Sequence, residues 1–388
     1  MVKILHLYRD LWVDGGIPYQ TRCLIEGQIK TGSLLVSFAQ KGNSLETWPH
    51  LLHPNHSSVV TSGLNSLFQL REILRAHKPD IVHITGLWIP IHQLWAIEVS
   101  RAKVPYVVST HGNLSPHGME VRFGEKKQVF SRILAKKFWH RFFDLPLLQN
   151  AAGIQVHSPY EMDLVKSAGL QNIFIVPNGI QSEWVGSYDD QPRKLHNPIT
   201  FLHLGRLDIY HKGLDLICQA LKGLVQSGHS QQVKVILAGP GVKDSRDVLK
   251  RWAKQIGNGI LEIRDGVWGK DKDNIWRETD YFLNLYRYAG MAIAPSEAVA
   301  KGIPLIASRE GHFGDWAADS GFGIQVPLDG EKLLKTMAAL LNLSESDYQD
   351  LSKNALRFAK TYTWDKVAND VVHAYQRLLD LGRFKELG

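Results

Sequence analysis

A loop rich in cations follows one predicted strand in the second half of the chain. In "HLGRLDIYHKGLDLICQAL" the strand ends at Gly205, and Arg206 and Lys212 precede a helix that begins near Gly213. Glycine lets the chain turn sharply as it leaves a strand. A guanidinium group, an ammonium group and helix amides at one place would bind a diphosphate, because arginine grips two oxygens and lysine neutralises charge. Two solvated surface cations would give the same pattern, so both interpretations stay open.

Two further loops in this half follow predicted strands. "ILAGPGVKD" places Gly239 directly after a strand, in a turn whose small residues permit close approach to a ligand. "IRDGVWGKD" places Val267 where another strand ends, so that backbone groups there could read the edge of a nucleobase. Each loop taken alone could equally be an ordinary tight turn.

The stretch "LYRYAGMAIAPSEAVAKGIPLIAS" leads from a strand into a helix and then into the next strand. Gly290 permits an irregular backbone, so amides near Gly290, Met291 and Ala292 could point at an incoming group. Glu297 lies inside the helix, where its carboxylate could accept hydrogen bonds from a ribose diol. The alternative is an ordinary exposed helical glutamate.

Length and composition limit the class of protein. The 388 residues predict two domains, and no apolar run approaches the ~20 residues of a membrane span. "MVKILHLYRD" predicts a first strand rather than a signal peptide. The two cysteines, Cys23 and Cys218, argue against a disulfide scaffold and favour a reducing cytoplasm, and no cysteine–histidine cluster has zinc spacing. The net charge of +7 fits an anionic partner or simple solubility.

Short apolar runs alternate with helical patterns along the whole chain, which predicts α/β domains with doubly wound parallel sheets. The predicted strands are 3–8, 34–38, 80–84, 106–110, 153–158, 173–179, 199–205, 233–239, 260–266, 280–286, 303–308 and 322–326. Residues 181–198 are polar and read as a linker. We therefore expect a Rossmann-like domain over 1–180 and a second over 199–362, followed by an amphipathic helix in 363–388.

Four segments together resemble the C-terminal half of the retaining glycosyltransferases of family 4, the glycosyl transferases group 1. They are "LGRLDIYHKGLDL", "VILAGPG", "GVWG" and "EAVAKGIPLIAS". The resemblance implies the GT-B fold, with two Rossmann-like domains facing across a cleft: an N-terminal acceptor domain and a C-terminal nucleotide-sugar donor domain. It also implies that Arg206 and Lys212 hold the donor diphosphate and that Glu297 binds the ribose hydroxyls.

The N-terminal half extends the resemblance to the whole chain. Gly15 and Gly16, in "YRDLWVDGGIPYQ", match the glycine loop that the family places near the donor phosphate and the acceptor. His111, in "STHG", aligns with the histidine that family members place beside the donor sugar, although a lone histidine is more often structural. The resemblance further implies that the helix in 363–388 packs back on the first domain.

One position departs from the family pattern. The family has a Glu-x7-Glu element whose first glutamate lies by the donor sugar, and here that position is Ala289. The chain could be a catalytically silent sugar-nucleotide-binding protein of a polysaccharide assembly complex. We favour an active enzyme, because electrostatic stabilisation of the leaving phosphate is usually the largest contribution and one lost hydrogen bond costs about 1–3 kcal/mol. The candidates for a general base are His111, Asp14 and Asp208.

Residues 121–143 predict a basic, aromatic helix. Its apolar positions at helical spacing are Phe130, Ile133, Leu134, Phe138 and Phe142, and lysines and arginines cover the remaining turns. Such a helix can lie on an anionic membrane surface, or it can turn its apolar stripe to the core and its basic face to solvent. Nucleic acid is not an expected partner.

The sequence therefore predicts a metal-independent GT-B glycosyltransferase with no cofactor, cytoplasmic and peripheral at the inner face of the plasma membrane. It would move a hexose from a nucleotide sugar, UDP-glucose or a similar donor, to a glycan or lipid-linked acceptor. The resemblance implies retention of configuration and a role in bacterial or cyanobacterial polysaccharide assembly. A sugar-nucleotide epimerase of the same fold is a second alternative.

Overall fold

A computed structural model describes residues 1–40, 51, 53–63, 65–116, 130–186, 193–242, 244–257 and 259–386. The described residues form two compact α/β units. Among the described residues, the first unit contains 1–115, 130–179 and 362–386, and the second contains 116 and 180–361. Cys23 and Cys218 are both buried free thiols, one in each unit.

The first unit has a seven-stranded parallel sheet in the order β3-β2-β1-β4-β5-β6-β7. Its strands are β1 (Lys3–Leu7), β2 (Leu34–Ala39), β3 (His56–Val60), β4 (Ile81–Thr85), β5 (Tyr106–Ser109), β6 (Gly153–Val156) and β7 (Ile173–Ile175). The central strands are buried along their length, because helices cover both faces of a parallel sheet.

The second unit has a six-stranded parallel sheet in the order β10-β9-β8-β11-β12-β13. Its strands are β8 (Ile199–Leu204), β9 (Val233–Ala238), β10 (Leu261–Arg264), β11 (Tyr281–Asn284), β12 (Leu305–Ala307) and β13 (Gly323–Gln325). The order reverses direction at β8, so the loops after β8 and β11 flank a switch point, where open parallel sheets bind their ligands.

The helices alternate with these strands. In the first unit they are α1 (Gly16–Lys30), α2 (Asn65–His77), α3 (Pro90–Arg101), α4 (Phe130–Trp139), a π-helical turn (His140–Asp144), α5 (Leu145–Gln149) and α6 (Pro159–Ser167). In the second they are α7 (Leu214–Gln226), α8 (Ser245–Ile256), α9 (Gly269–Arg277), α10 (Ile293–Ala300), α11 (Gly314–Asp319), α12 (Gly330–Leu340) and α13 (Glu345–Thr361). Short 3₁₀ turns lie at Ser182–Trp184 and Arg309–Gly311.

The last helix, α14 (Trp364–Glu386), belongs to the first unit and packs against α1. The two helices approach closely at Gly27, where an added Cβ would lie 2.7 Å from the Cβ of Ala368. A second close contact joins Gly179 to Trp364. Glycine is required at both positions, because a side chain there would collide with the helix.

The parallel α/β fold predicted from the sequence is confirmed, and each of the twelve predicted strands overlaps an observed one. The sequence analysis missed β3, whose polar "HSSVV" lies at a sheet edge and lacks the apolar run that marks a buried strand. Of the predicted helix 121–143, residues 121–129 lie outside the described residues, as do 187–192 of the predicted linker. No helix in the described ranges is both long enough and apolar enough to cross a membrane.

Candidate active site

Arg206 and Lys212 lie on the loop between β8 and α7 of the second unit. Arg206 is exposed, whereas Lys212 is buried, with its Nζ 3.5 Å from the centre of the Tyr286 ring. Burial, and then the positive charge of Arg206, lower the pKa of Lys212 to about 7, against an opposing effect of Asp208. The two cations therefore interact electrostatically, and Lys212 is not a solvated surface lysine.

The loops after β8 and β9 meet at two glycines. Gly205 and Gly239 have φ angles of 151° and 146°, and an added Cβ on Gly239 would lie 1.8 Å from the carbonyl oxygen of Gly205. The Leu207 N–H also donates to the Pro240 carbonyl at 2.8 Å. This edge of the sheet can therefore present backbone groups to a ligand without interference from side chains.

The loop after β11 is tied to the cation-bearing loop by side chains that the sequence analysis did not identify. Arg287 donates two hydrogen bonds to the carboxylate of Asp215, at 2.8 and 2.7 Å, and its backbone N–H donates to the His211 carbonyl. His211 donates from Nε2 to the Tyr288 carbonyl at 2.6 Å and stacks on the Tyr288 ring. The partners are more than 70 positions apart in sequence, so no local pattern could reveal them.

Glu297 lies in α10, about one turn from its start, and is 5% exposed. Its Oε1 accepts a hydrogen bond from Lys272 Nζ at 2.7 Å. The alternative of an ordinary exposed helical glutamate is therefore wrong. A buried carboxylate held by one lysine is positioned to accept further hydrogen bonds from hydroxyl groups.

The remaining residues that the sequence analysis assigned to donor binding lie on neighbouring loops. Val267 follows β10 and is half-buried, as are Ala289 and Gly290. Met291 is buried, and Ala292 is the residue that precedes α10. These residues thus lie in loops that follow β10 and β11.

Two aspartates of the second unit form an Asp-x-Asp triplet, the sequence pattern that binds a divalent ion in some glycosyltransferases. Asp271 and Asp273 flank Lys272 in the first turn of α9, and both are exposed. Within the described ranges, no group of three or more histidine, cysteine, aspartate or glutamate side chains is arranged to hold a metal. The lysine between the two carboxylates is itself paired with Glu297.

In the first unit, Gly15 and Gly16 lie at the start of α1. Gly15 precedes the helix and its carbonyl accepts from the Tyr19 N–H, and Gly16 is the first helical residue. Both are exposed, and an added Cβ on Gly16 would meet no atom within 4 Å. Packing within the chain therefore does not require glycine at position 16.

His111 is buried and has a left-handed backbone, with φ 47°. Its Nε2 lies 3.1 Å from the Ser109 hydroxyl, and its ring stacks on that of His157 at 4.3 Å between centroids. Of the other candidate bases, Asp14 is exposed just before α1, and Asp208 accepts from the His211 N–H at 3.0 Å.

Glu161, on α6, fixes the segment that carries His111. Its buried carboxylate accepts hydrogen bonds from the Thr110 hydroxyl at 2.6 Å, from the Gly112 N–H, and from the His157 N–H at 2.8 Å. The left-handed backbone of His111 is thus held from both sides. Sequence analysis did not single out Glu161, because its partners lie on two different strand ends.

Beside His111 is a small pocket, partly open to solvent, between the sheet, α1 and α14. Its polar lining includes Gln20, His83, Ser109, Gln155, His157 and Asn178. Burial is the main reason that the pKa of His83 lies well below its ordinary value. Among the described residues that line it, the polar groups are amides, hydroxyls and imidazoles, which donate or accept hydrogen bonds.

The structure brings Arg206, Lys212, Gly239 and the loop after β11 together at one edge of the second sheet. Gly15, Gly16 and His111 belong to the first unit, where they follow β1 and β5. Both sets lie beyond the carboxyl ends of parallel strands, where this class of fold binds ligands.

Comparison with known families identifies the class of protein. Residues 36–184 match the model described as Glycosyltransferase Family 4, and residues 198–343 match that of Glycosyl transferases group 1. The chain belongs to the family 4, group 1 glycosyltransferases, as the sequence analysis predicted.

Named relatives agree with this assignment. The D-inositol 3-phosphate glycosyltransferase of Jonesia denitrificans is 23% identical over 318 residues, which cover 77% of this chain and 72% of that protein. The phosphatidyl-myo-inositol mannosyltransferase of Mycobacterium leprae is 24% identical over 312 residues, which cover 78% and 75%.

Solved structures share the fold. The sucrose-phosphate synthase of Thermosynechococcus elongatus has a TM-score of 0.69 at 16% identity, covering 98% of this chain and 100% of that one. Anabaena HepE in complex with UDP has a TM-score of 0.70 at 15% identity, covering 97% and 100%. The predicted GT-B fold is confirmed.

Proposed function

We propose that this glycosyltransferase moves a hexose from a nucleoside diphosphate sugar, UDP-glucose or a close analogue, to a hydroxyl of a glycan or lipid-linked acceptor in polysaccharide assembly. The observation that carries the proposal is the buried Lys212 beside Arg206, next to the start of α7 and the Gly205–Gly239 contact. The HepE structures that share the fold contain UDP, and UDP with glucose.

The chemistry follows from where negative charge develops. The acceptor oxygen bonds to C1 of the hexose as the bond from C1 to the diphosphate oxygen breaks, and the acceptor proton passes to the departing diphosphate. Arg206, Lys212 and the first amides of α7 stabilise the charge on that leaving group, a role that a divalent ion has in other enzymes. We therefore propose a reaction that needs no metal. We also propose that the configuration at C1 is retained, because the departing phosphate receives the proton on the same face of the sugar that the acceptor attacks.

GDP-mannose is the second candidate donor. A Xanthomonas oryzae relative, 22% identical over 313 residues, is named GDP-mannose:cellobiosyl-diphosphopolyprenol alpha-mannosyltransferase. The diphosphate site would serve either nucleotide, because the cations contact phosphate rather than the base. The choice of base would rest on the loop that carries Val267.

Calorimetry with UDP, GDP and uridine tests the donor site. We expect Arg206→Ala and Lys212→Ala each to weaken binding of the preferred diphosphate by about 10–100-fold, because each removes a charge-assisted contact, while uridine binding is unchanged. Arg251→Ala and Lys222→Ala, at exposed positions of α8 and α7, are matched controls. Equal affinity in all five proteins would reject the site.

Product analysis tests the reaction itself. Incubation with UDP-glucose or GDP-mannose and a panel of glycan and lipid-linked acceptors should release the nucleoside diphosphate and form a glycoside whose anomeric proton shows the configuration. Inversion at C1 would contradict the proposed stereochemistry. Activity that requires added divalent ions would contradict metal independence.

We also propose that α4 and the following turn bind an anionic membrane surface, at the inner face of the plasma membrane. Leu134, Phe138 and Phe142 repeat every fourth residue and are 50%, 58% and 58% exposed, with the two phenylalanine rings 4.5 Å apart. Lys137 and Arg141, next to them, are also exposed. A core-facing stripe, the alternative drawn from the sequence, is wrong for these three residues. Exposed aromatic and basic groups together favour an interface with anionic lipid.

Co-sedimentation with vesicles tests this surface. The wild type should bind phosphatidylglycerol-containing vesicles more than pure phosphatidylcholine, and less at high salt. The double variant Phe138→Ser, Phe142→Ser should lose most of this binding. Phe68→Ser is the matched control, since Phe68 is 64% exposed on α2. Equal binding by all three proteins would reject the proposal.

A further inference from the structure

The Lys212 ammonium group lies over the face of the Tyr286 ring. Nζ lies 3.5 Å from the ring centre, within the range at which a cation is attracted to the negative face of an aromatic ring. Tyr286 comes from the loop after β11, and Lys212 from the loop after β8. The contact therefore joins the two strands that flank the switch point of the sheet.

The charged and titratable groups around Lys212 come from three elements. They are Arg206, Asp208 and His211 on its own loop, His203 on β8, and Tyr286 after β11. Burial and Lys212 itself lower the pKa of both His203 and His211 to about 3, so both rings are neutral at physiological pH. Of the charged groups named, Asp208 opposes the repulsion from Arg206.

The ring cannot readily move away from the lysine. Tyr286 is 1% exposed, and its ring meets that of His203 edge-on at 5.8 Å. Its carbonyl accepts a hydrogen bond from the Ser308 hydroxyl at 2.8 Å. Packing on one side and a fixed backbone on the other thus set the position of the ring face.

An aromatic ring stabilises an ammonium group in a different way from a carboxylate. A carboxylate beside Nζ would cancel its charge and compete with an incoming anion. A ring attracts the cation through its quadrupole and leaves the full positive charge available. Both the repulsion from Arg206 and the burial of Lys212 favour the neutral amine, so an opposing attraction is needed if the lysine is to meet a diphosphate as a cation.

We infer that Tyr286 is a positioning residue whose ring face keeps Lys212 charged and aimed beside Arg206 for the diphosphate of the donor. The inference rests on the proposed donor site. It goes beyond the two cations, because it gives the neutral side chain of Tyr286, after β11, a role in keeping Lys212 protonated.

The test replaces the ring without changing its shape. Tyr286→Phe keeps the ring face, and 3,4,5-trifluorophenylalanine at position 286 keeps the shape but removes most of the negative charge of the face. Lysine labelled with ¹³C at Cε gives the pKa of Lys212 by NMR, with Lys212→Arg to assign the signal. We expect Tyr286→Phe to match the wild type and the fluorinated ring to lower the pKa of Lys212 by on the order of one pH unit.

Binding of UDP and GDP gives the second measurement. The fluorinated protein should bind the preferred diphosphate nearly as well as the wild type at pH 6 and about tenfold more weakly at pH 8, where its Lys212 has lost its proton. An unchanged pKa, a raised pKa, or an equal loss of affinity at both pH values would overturn the inference. The wild type could bind neither nucleotide while the fluorinated ring still lowers the pKa of Lys212. In that case the proposed function is wrong, but the effect of Tyr286 on Lys212 is confirmed.

Discussion

Lys272 Nζ donates a hydrogen bond to Glu297 Oε1 at 2.7 Å and so joins the first turn of α9 to the buried side of α10. The lysine balances a carboxylate that has little contact with solvent. A carboxylate that accepts one hydrogen bond from a lysine keeps lone pairs for further donors. The predicted contact of Glu297 with a ribose diol can therefore be tested directly.

Glu297→Gln should weaken UDP binding by about tenfold, because an amide accepts a weaker hydrogen bond from a hydroxyl than a carboxylate does. The loss should be much smaller for 2′-deoxy-UDP, which lacks one hydroxyl. Calorimetry with both ligands on both proteins measures the coupling. If both ligands lose the same affinity, Glu297 does not contact the ribose 2′-hydroxyl.

Binding of the donor should depend on pH through Lys212. Its folded pKa of about 7 is below the ordinary lysine value, so the ammonium group is lost as pH rises through 7 and affinity for the diphosphate falls. Lys212→Arg keeps its charge and should bind UDP with no such fall, as titration calorimetry between pH 6 and pH 9 would show. Equal pH profiles for the two proteins would contradict the assigned pKa.

The same shift makes the stability of the unliganded protein depend on pH. Between pH 7 and the ordinary lysine pKa near 10.5, the unfolded chain keeps the Lys212 proton that the folded chain has lost. The free energy of unfolding should therefore rise with pH in this window, relative to that of Lys212→Met. Urea unfolding at several pH values measures the difference in unfolding free energy between the two proteins. Below pH 7 this difference should no longer change with pH.

The Arg287–Asp215 pair should couple the loops after β11 and β8. Arg287→Met and Asp215→Asn should each lower the free energy of unfolding of the second unit by about 1–3 kcal/mol, since each leaves a polar partner unsatisfied. The double variant should lose less than the sum, which urea unfolding can measure. If the losses of the two single variants simply add in the double variant, the two side chains do not stabilise each other.

Gly239 and Gly16 should respond differently to alanine. Gly239→Ala places a Cβ against the Gly205 carbonyl at a backbone angle that alanine rarely adopts, so we expect a loss of several kcal/mol in unfolding free energy. Gly16→Ala fills open space and should leave stability within about 0.5 kcal/mol. The rate of glycosyl transfer should nevertheless fall in Gly16→Ala, because the added methyl group would lie where the loop contacts the donor. An unchanged rate would show that Gly16 does not belong to the site.

Ala289→Glu restores the carboxylate that the family places near the donor sugar. We expect the variant to change the ratio of kcat/KM values between UDP-glucose and GDP-mannose or their epimers, because a carboxylate would bind sugar hydroxyls whose orientation differs among hexoses. An unchanged ratio of kcat/KM values would mean that position 289 does not face the hexose.

Sequence patterns were sufficient for the features that are local. Apolar runs located the buried strands, such as the predicted strand 199–205, which contains β8. Arg206, Lys212 and Glu297 were chosen as candidates because each lies after a strand in a short, distinctive motif, and their roles stay predictions. The polar edge strand β3 gave no such pattern.

The features that were missed depend on contacts between distant segments. Arg287 with Asp215, and Tyr286 with Lys212, bring together residues more than 70 positions apart, and Glu161 joins the ends of two strands. The burial of Glu297 was also missed, since a helix with little amphipathic character gives no sign of which face is covered. Packing of the two loops, rather than local propensity, decides these contacts.

The closeness of α14 to Gly27 and Gly179 has a consequence for how the chain is made. The first unit draws its covering helix from residues 364–386, so synthesis passes through the whole second unit before that helix exists. Until then the groove along α1 stays uncovered, whereas the described residues of the second unit all precede residue 362 and can fold before that helix is made. The second unit should therefore reach its native state first, and a nascent chain halted before Trp364 should remain a client for chaperones.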